Sequence, residues 1–197
     1  MARLRSYYSK GLIEAGVDEV GRGCLAGPVV AAAVILPANF RHRLLNDSKM
    51  MSAKSRDILS AYIQKKAISY AIAEVDNEEI DKINILQASF KAMHIALDEL
   101  ESRPEHILVD GNRFNPYPFI PHTCVVKGDS KFKCIAAASV LAKVYRDRLM
   151  ANLHQDRPYY GWERNAGYPT KEHRKGIREH GPSPLHRMSF RLLEEES

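Results

Sequence analysis

The chain has 197 residues, with 29 Lys and Arg against 24 Asp and Glu for a formal net charge of +5, and 45% of its residues are hydrophobic. A chain of this length and composition is one globular domain able to bury a core, which excludes disorder over most of it. Its longest apolar runs, Val29 to Leu36 and Ile135 to Ala142, fall far short of the roughly 18–20 residues that cross a bilayer, which excludes a transmembrane helix and a membrane partner.

The N-terminus is basic, but Ser6-Tyr7-Tyr8-Ser9-Lys10 stands where a signal peptide needs an apolar stretch. Cys24, Cys124 and Cys134 are odd in number and lack metal-like spacing, which fits a reducing compartment. The expectation is a cytoplasmic protein. In chain order, Ile13, Ala15 and Val17 alternate with Leu12, Glu14 and Gly16, predicting a strand that ends near Asp18-Glu19. After the Gly21-Arg22-Gly23 turn, Val29 to Leu36 is an apolar run closed by Pro37, a second and buried strand. Ser52 caps a helix with apolar positions at Ile58, Leu59, Tyr62 and Ile63. Ile68, Tyr70 and Ile72 alternate as a third strand. Asn77 to about Ser102 reads as a long helical segment with a break near Asn84. His106 to Asp110 and His122 to Val126 are a fourth and a fifth strand, joined by the proline-rich loop Gly111 to Pro121. A long helix is expected over about Lys131 to Gln155, then a tail with helical pieces near Lys171 to His180 and after Pro184. Three strands in succession, then helix-strand alternation, predict a mixed sheet with antiparallel hairpins first and parallel crossovers later.

The charge is unevenly placed. From Asp156 to Arg191 there are eight Lys and Arg against four acids, so this stretch carries most of the excess. Tyr159, Tyr160, Trp162, Tyr168 and three histidines lie among them, an interleaving suited to a surface that tracks a nucleic-acid backbone. A solvated pair of C-terminal helices accounts for it equally well.

Four carboxylates stand where strands should stop: Asp18 and Glu19 after the first, Asp110 after the fourth, and Asp129 three residues past the fifth. Strand ends on one edge of a sheet converge in space, and open sheets place their chemistry there. Carboxylates gathered without a counter-charge would be driven toward protonation, and divalent cations resolve that repulsion. Oxygen-only ligands favour Mg²⁺ or Mn²⁺ over zinc, and a pair of such ions activates water and stabilises the leaving oxygen of a phosphodiester. Taken singly, each acid reads first as a solvated strand-end or turn residue; four at sheet edges weigh against that reading. Adjacent strand residues face opposite sides, so Asp18 and Glu19 reach one site only if the backbone leaves strand geometry between them. Gly21 to Ala26 also satisfies the G-x-G-x-x-G/A dinucleotide pattern, but that fingerprint opens a helix, and here Gly27-Pro28 leads into a β-branched run. Asp147, in mid-helix and flanked by arginines, is expected to form surface ion pairs. His186 reads as a packed or surface histidine, Lys49 as a solvated turn residue, and Tyr168 as a loop aromatic.

Gly16-Val17-Asp18-Glu19-Val20-Gly21-Arg22-Gly23, Asp47-Ser48-Lys49, Leu108-Val109-Asp110-Gly111-Asn112, Lys127-Gly128-Asp129-Ser130-Lys131, Ala136 to Asp147, Gly167-Tyr168-Pro169-Thr170 and Gly181-Pro182-Ser183-Pro184-Leu185-His186-Arg187 together resemble the bacterial ribonuclease HII family, over nearly the whole chain. The resemblance implies an α/β, RNase H-like fold: a five-stranded mixed sheet flanked by helices, with a helical C-terminal extension. The corresponding division is residues 1–155 for the catalytic domain and 156–197 for the extension packed on it. It implies endonucleolytic cleavage of the RNA strand of RNA/DNA hybrids, and cleavage 5′ of single ribonucleotides embedded in duplex DNA, leaving 3′-hydroxyl and 5′-phosphate ends. Asp18, Glu19, Asp110 and Asp129 would be the catalytic acids and metal ligands, for Mg²⁺ or Mn²⁺, two ions being expected with substrate bound. Gly21, Arg22, Gly23 and Tyr168 would recognise the ribose 2′-hydroxyl and the junction to DNA, and Lys49, Lys127 and Lys131 would contact phosphates. A monomer is expected. An acid pair at residues 18 and 19 leaves no room for the additional N-terminal domain of the related ribonuclease HIII, and Arg191 to Ser197 shows no sliding-clamp motif. The rival readings are another RNase H-like metallonuclease of resolvase or integrase type, a non-catalytic nucleic-acid-binding domain, and a dinucleotide-binding oxidoreductase.

Overall fold

Val29 to Ile35 is buried at every position, as a strand covered on both faces must be, and it lies inside a five-stranded sheet. The computed structural model describes residues 4–45 and 51–193. They form β1 (Glu14–Val20), β2 (Val29–Ile35), α1 (Ala53–Lys66), β3 (Ser69–Val75), α2 (Asn77–Asp98), β4 (His106–Asp110), β5 (His122–Val125), α3 (Lys133–Asp156), a short α4 (Trp162–Asn165) and α5 (Lys171–His180). The sheet order is β3-β2-β1-β4-β5. β1 with β2 and β2 with β3 pair antiparallel, whereas β1 with β4 and β4 with β5 pair parallel, which is the expected mixed sheet.

Helices cover both faces. Ala15, Val17, Ala31, Ala33, Ile107 and Val109 pack against Ile80, Met93 and Ala96 of α2. Val30, Ala32 and Val34 of the opposite face pack against Leu59 and Ile63 of α1 and Ala138 and Leu141 of α3. Contact between α3 and β1 is close because Gly16 has no side chain: a Cβ there would lie 2.2 Å from the carbonyl carbon of Cys134.

Local chemistry sets the element ends. Ser52 caps α1 by accepting the Ser55 N–H, and Asp76 caps α2 by accepting the Glu79 N–H. Helix α2 breaks at Asn84, whose φ is +66°. The Asn84 Oδ1 accepts the N–H groups of Leu86 and Gln87 at 3.0 and 3.2 Å, so it starts the second half of the helix as a cap starts the first. In β3 the most buried side chains are Ser69, Ala71, Ala73 and Val75, not the larger Tyr70 and Ile72 between them. The face turned to α2 carries the smaller side chains.

The tail differs from expectation at two places. Among the described residues no helix follows Pro184. Instead Gly27 N–H donates to Leu185 O at 2.9 Å and Arg187 N–H to Leu25 O at 2.8 Å, a bridge pairing His186 with Ala26 that engages amides a helix would have used. Tyr160 and Trp162, expected on a nucleic-acid-tracking surface, are buried with Leu25, Ala26, Met150 and Ile177. Tyr159 and Tyr168 remain partly exposed. The three cysteines form no disulfide. Among the described residues no helix is long and apolar enough to cross a membrane.

Candidate active site

Strand parity decides which acids meet. Val17 pairs with Val109 across the parallel β1–β4 ladder, so Asp18 and Asp110, the next residue on each strand, stand side by side. Both project to the α3 face, since Asp18 pairs with Ala32 and Ala32 packs in the α3 core. Asp18 is buried, with 6% of its surface exposed. Its carboxylate accepts the Glu19 N–H at 2.8 Å and a hydrogen bond from Ser139 of α3. Burial raises its pKa well above the ordinary value, and the charges of Glu19 and Asp110 raise it further against the opposing hydrogen bonds. Burial also raises that of Glu19, opposed mainly by Arg22, whose Nη1 lies 2.9 Å from Glu19 Oε1. Asp110 Oδ1 accepts the Gly128 N–H at 2.5 Å, which ties β4 to the turn carrying Asp129.

These acids share one sheet edge but are not drawn around an ion: β1 keeps its strand pairing through Val20, so the backbone does not leave strand geometry and Glu19, opposite Ala31, starts from the other face than Asp18. Among the described residues no three Asp, Glu, His or Cys side chains form a group that could hold a metal ion. Glu19 is turned to Arg22 and Asp110 to the Gly128 amide. The donor chemistry still suits a hard cation: oxygen ligands only, on a buried carboxyl that its neighbours push toward protonation.

The loop after β1 lies between two tail segments. Leu25 N–H donates to Gly167 O at 2.8 Å, which brings the Gly21-Arg22-Gly23 turn beside Tyr168. Gly21 has φ +93°, and a Cβ there would lie 2.3 Å from Arg146 Nε, so only glycine fits. Around Gly23 there is open space, room for a ligand to approach the backbone. The Tyr168 ring, 38% exposed, has Lys143 Nζ 5.9 Å from its centroid. Its hydroxyl contacts Cys24, and burial followed by Cys24 raises its pKa. Lys143 follows Ser139 by one helical turn, so α3 links the Asp18 carboxylate to Tyr168. Lys127 and Lys131 flank the Asp129 turn and are exposed; Lys127 is left-handed at φ +55°. Lys49 lies outside the described residues. Asp147 pairs with Lys143 at 2.7 Å, the surface ion pair expected of it.

Sequence reasoning missed three residues. Ser139 gives no signal of its own. Arg146 is fully buried; its guanidinium donates to the carbonyls of Pro28 and Ala26 at 3.0 Å each and to that of Ala166 at 2.5 Å. Arg187, also fully buried, donates to Gly27 O at 3.0 and 2.9 Å and to Arg22 O at 3.0 Å, and burial brings its pKa down to about 10. Both cations back the glycine turn. Gly21, where a Cβ would lie 2.3 Å from Arg146 Nε, was the available signal.

Comparison with known proteins gives the family and the fold. Residues 15–193 match the family described as Ribonuclease HII. The chain is 60% identical over 190 residues to the Ribonuclease HII of Bacteroides thetaiotaomicron, covering 96% of this chain and 95% of that protein. Among solved structures it resembles the ribonuclease H2 of Pyrococcus horikoshii OT3, with TM-score 0.75, 27% identity and coverage of 91% of this chain and 94% of that one. The fold is also that of Bst-RNase HIII in complex with Mn²⁺, with TM-score 0.73 at 19% identity, covering 92% of this chain and 68% of that one.

Proposed function

The chain belongs to the ribonuclease HII family, and from that premise we propose that its sheet edge cleaves the RNA strand of RNA/DNA hybrids and cuts 5′ of single ribonucleotides in duplex DNA. It is an endoribonuclease acting on nucleic acid, and its family implies a divalent metal. The proposal assigns Asp18, Glu19, Asp110 and Asp129 as catalytic acids and metal ligands, for Mg²⁺ or Mn²⁺, two ions being held once substrate is bound. The observation that carries it is that Asp18 and Asp110, each following the paired Val17 and Val109 on adjacent parallel strands, share one face, close enough to each other and to Glu19 that both neighbouring charges raise the Asp18 pKa.

Divalent cations at such a site supply the positive charge that phosphate and carboxylates require together and make water a competent nucleophile near neutral pH. The chain's own residues do the rest. Ser139 and the Glu19 amide orient the Asp18 carboxylate. Arg22 covers Glu19 and would have to turn away for Glu19 to serve as a ligand. The open backbone at Gly23, with Gly21, Arg22 and Tyr168, reads the ribose 2′-hydroxyl, the group that separates RNA from DNA. Lys49, Lys127 and Lys131 contact phosphates. The protein acts as a monomer, with residues 1–155 as catalytic domain and 156–197 as an extension packed on it.

The test is cleavage of a duplex holding one ribonucleotide beside the all-DNA duplex, with and without chelator. Metal-dependent cutting of the first alone is expected. Equal cutting of both favours a DNA-structure nuclease, and absence of cleavage favours a binding domain. Asp110→Asn should lower the rate at least about 100-fold; a variant as fast as the parent would overturn the assignment.

A further inference from the structure

Tyr168 is not held by regular structure. It follows two residues in left-handed backbone, Ala166 and Gly167 at φ +46° and +82°, and precedes α5. Its N–H donates to Asn165 O at 2.9 Å, and its carbonyl is held by a chain of buried polar groups with no part in the proposed hydrolysis. His173 and His186 have no exposed surface. The Ser183 N–H donates to His186 Nδ1 at 2.9 Å, so in the neutral ring the proton is on Nε2. That Nε2 lies 3.1 Å from His173 Nε2. Trp162 Nε1–H, a donor only, reaches the same atom at 3.0 Å. Two donors on His173 Nε2 make it the acceptor, and the His173 proton is on Nδ1. Nδ1 faces the Tyr168 carbonyl oxygen at 2.9 Å, which also accepts the Thr170 N–H at 2.8 Å. The Trp162 and Ser183 N–H donors set these directions; Ser183 Oγ and O also lie 2.9 and 3.3 Å from His186 Nδ1, and burial keeps both rings neutral.

We infer that His173 is a positioning residue for ribonucleotide recognition: it donates Nδ1–H to the Tyr168 carbonyl, in a tautomer imposed by Trp162 and His186, and so sets where the tyrosine meets the ribose. The inference rests on the proposed role of Tyr168. Reading one hydroxyl demands sub-ångström placement of the reading group, and a loop in left-handed backbone does not provide it unaided. Substrate selectivity therefore reaches back through Tyr168 to buried histidines that never touch nucleic acid.

The experiment exploits the two nitrogens of the ring. His173→Asn retains a donor near Nδ1, while His173→Gln retains a polar group near Nε2 and loses that donor. Both variants and Tyr168→Ala are assayed for kcat and KM on a single-ribonucleotide duplex and on a long RNA/DNA hybrid. His173→Gln should lose about 10-fold of its preference for the single ribonucleotide, with hybrid cleavage retained, while His173→Asn keeps the preference. Equal behaviour of the two histidine variants, both folded, overturns the inference. If Tyr168→Ala leaves the preference unchanged, the tyrosine's proposed role fails and the inference falls with it. If Tyr168→Ala loses the preference and folded His173→Gln does not, only the inference fails. Should the histidine variants not fold, nitrogen NMR of the unmodified protein decides: Nδ1–H on His173 with Nε2–H on His186 supports the inference, and any other tautomer pair overturns it.

Discussion

Asp18 sets function against stability within one side chain. Its carboxyl is buried, its pKa is raised by burial and then by Glu19 and Asp110, and a charge held in such a place destabilises the metal-free fold. Asp18→Asn removes the charge while keeping the shape. It should stabilise the metal-free protein by about 0.5–2 kcal/mol, equivalent to about 2–4 °C of Tm per kcal/mol for a chain of this size, and abolish metal-dependent cleavage. A lower Tm in a chelator-treated thermal melt would show that Asp18 is structural instead. Gly23 separates the two properties in another way. With open space where a Cβ would go, Gly23→Ala should leave Tm within about 1 °C, a shift below the ±0.5 kcal/mol usual for surface substitutions, yet impair cutting at a single ribonucleotide by obstructing the backbone. The acids were legible from sequence because a charged residue ending an apolar strand breaks its pattern. Arg146 was not legible, because an arginine beside aspartate in a long helix has the same local signature whether it faces water or three buried carbonyls.

Helix α3 holds the site together. It lies against β1 at Gly16, hydrogen-bonds Asp18 through Ser139 and reaches Tyr168 through Lys143. Gly16→Ala would place a methyl 2.2 Å from the Cys134 carbonyl carbon, forcing helix and strand apart. It should destabilise by about 1–3 kcal/mol in urea unfolding and lower kcat with the metal requirement unchanged; unaltered stability would contradict the close packing. At the tail, neutral His186 is the titratable element. Burial lowers its pKa from 6.5 to about 4. The unfolded chain therefore binds a proton below pH 6.5 that the folded chain refuses until about pH 4, so the stability is whole above pH 6.5 and is lost as pH falls through that window. Urea unfolding from pH 7.5 to pH 4.5 should show the decline, reduced in His186→Asn; a flat profile would mean that the imidazole titrates normally. Strand positions were legible from alternation and strand facing was not: in β3 the larger Tyr70 and Ile72 face away from α2 while Ala71 and Ala73 face inward. The segment after Pro184 misled because its partners, Leu25 and Gly27, are remote in sequence.

At the scale of the molecule, the net charge of +5 averages unlike parts. An acidic sheet edge is set against a basic remainder, but the basic excess of the tail is not all surface. Arg187 is buried on backbone carbonyls, and Arg164 is paired with Glu163 and Glu172. Fewer cations meet the polyanion than their number implies. KM for a ribonucleotide-containing duplex should rise with salt with a log–log slope of a few, each phosphate contact contributing about 0.9, and Lys127→Ala should reduce that slope by about one. The fold was legible at this scale because order and type of elements restrict a mixed five-stranded sheet to few topologies. The proposed function makes this sheet edge a metal-dependent reader of ribose in nucleic acid. The most direct measurement places one ribonucleotide in a labelled DNA duplex and follows cleavage in Mg²⁺ or Mn²⁺, with a chelated control and the all-DNA duplex alongside. A single cut 5′ of the ribonucleotide, abolished by chelator and absent from all-DNA, is the predicted result; equal cutting of the two duplexes, or cutting that survives the chelator, would contradict it.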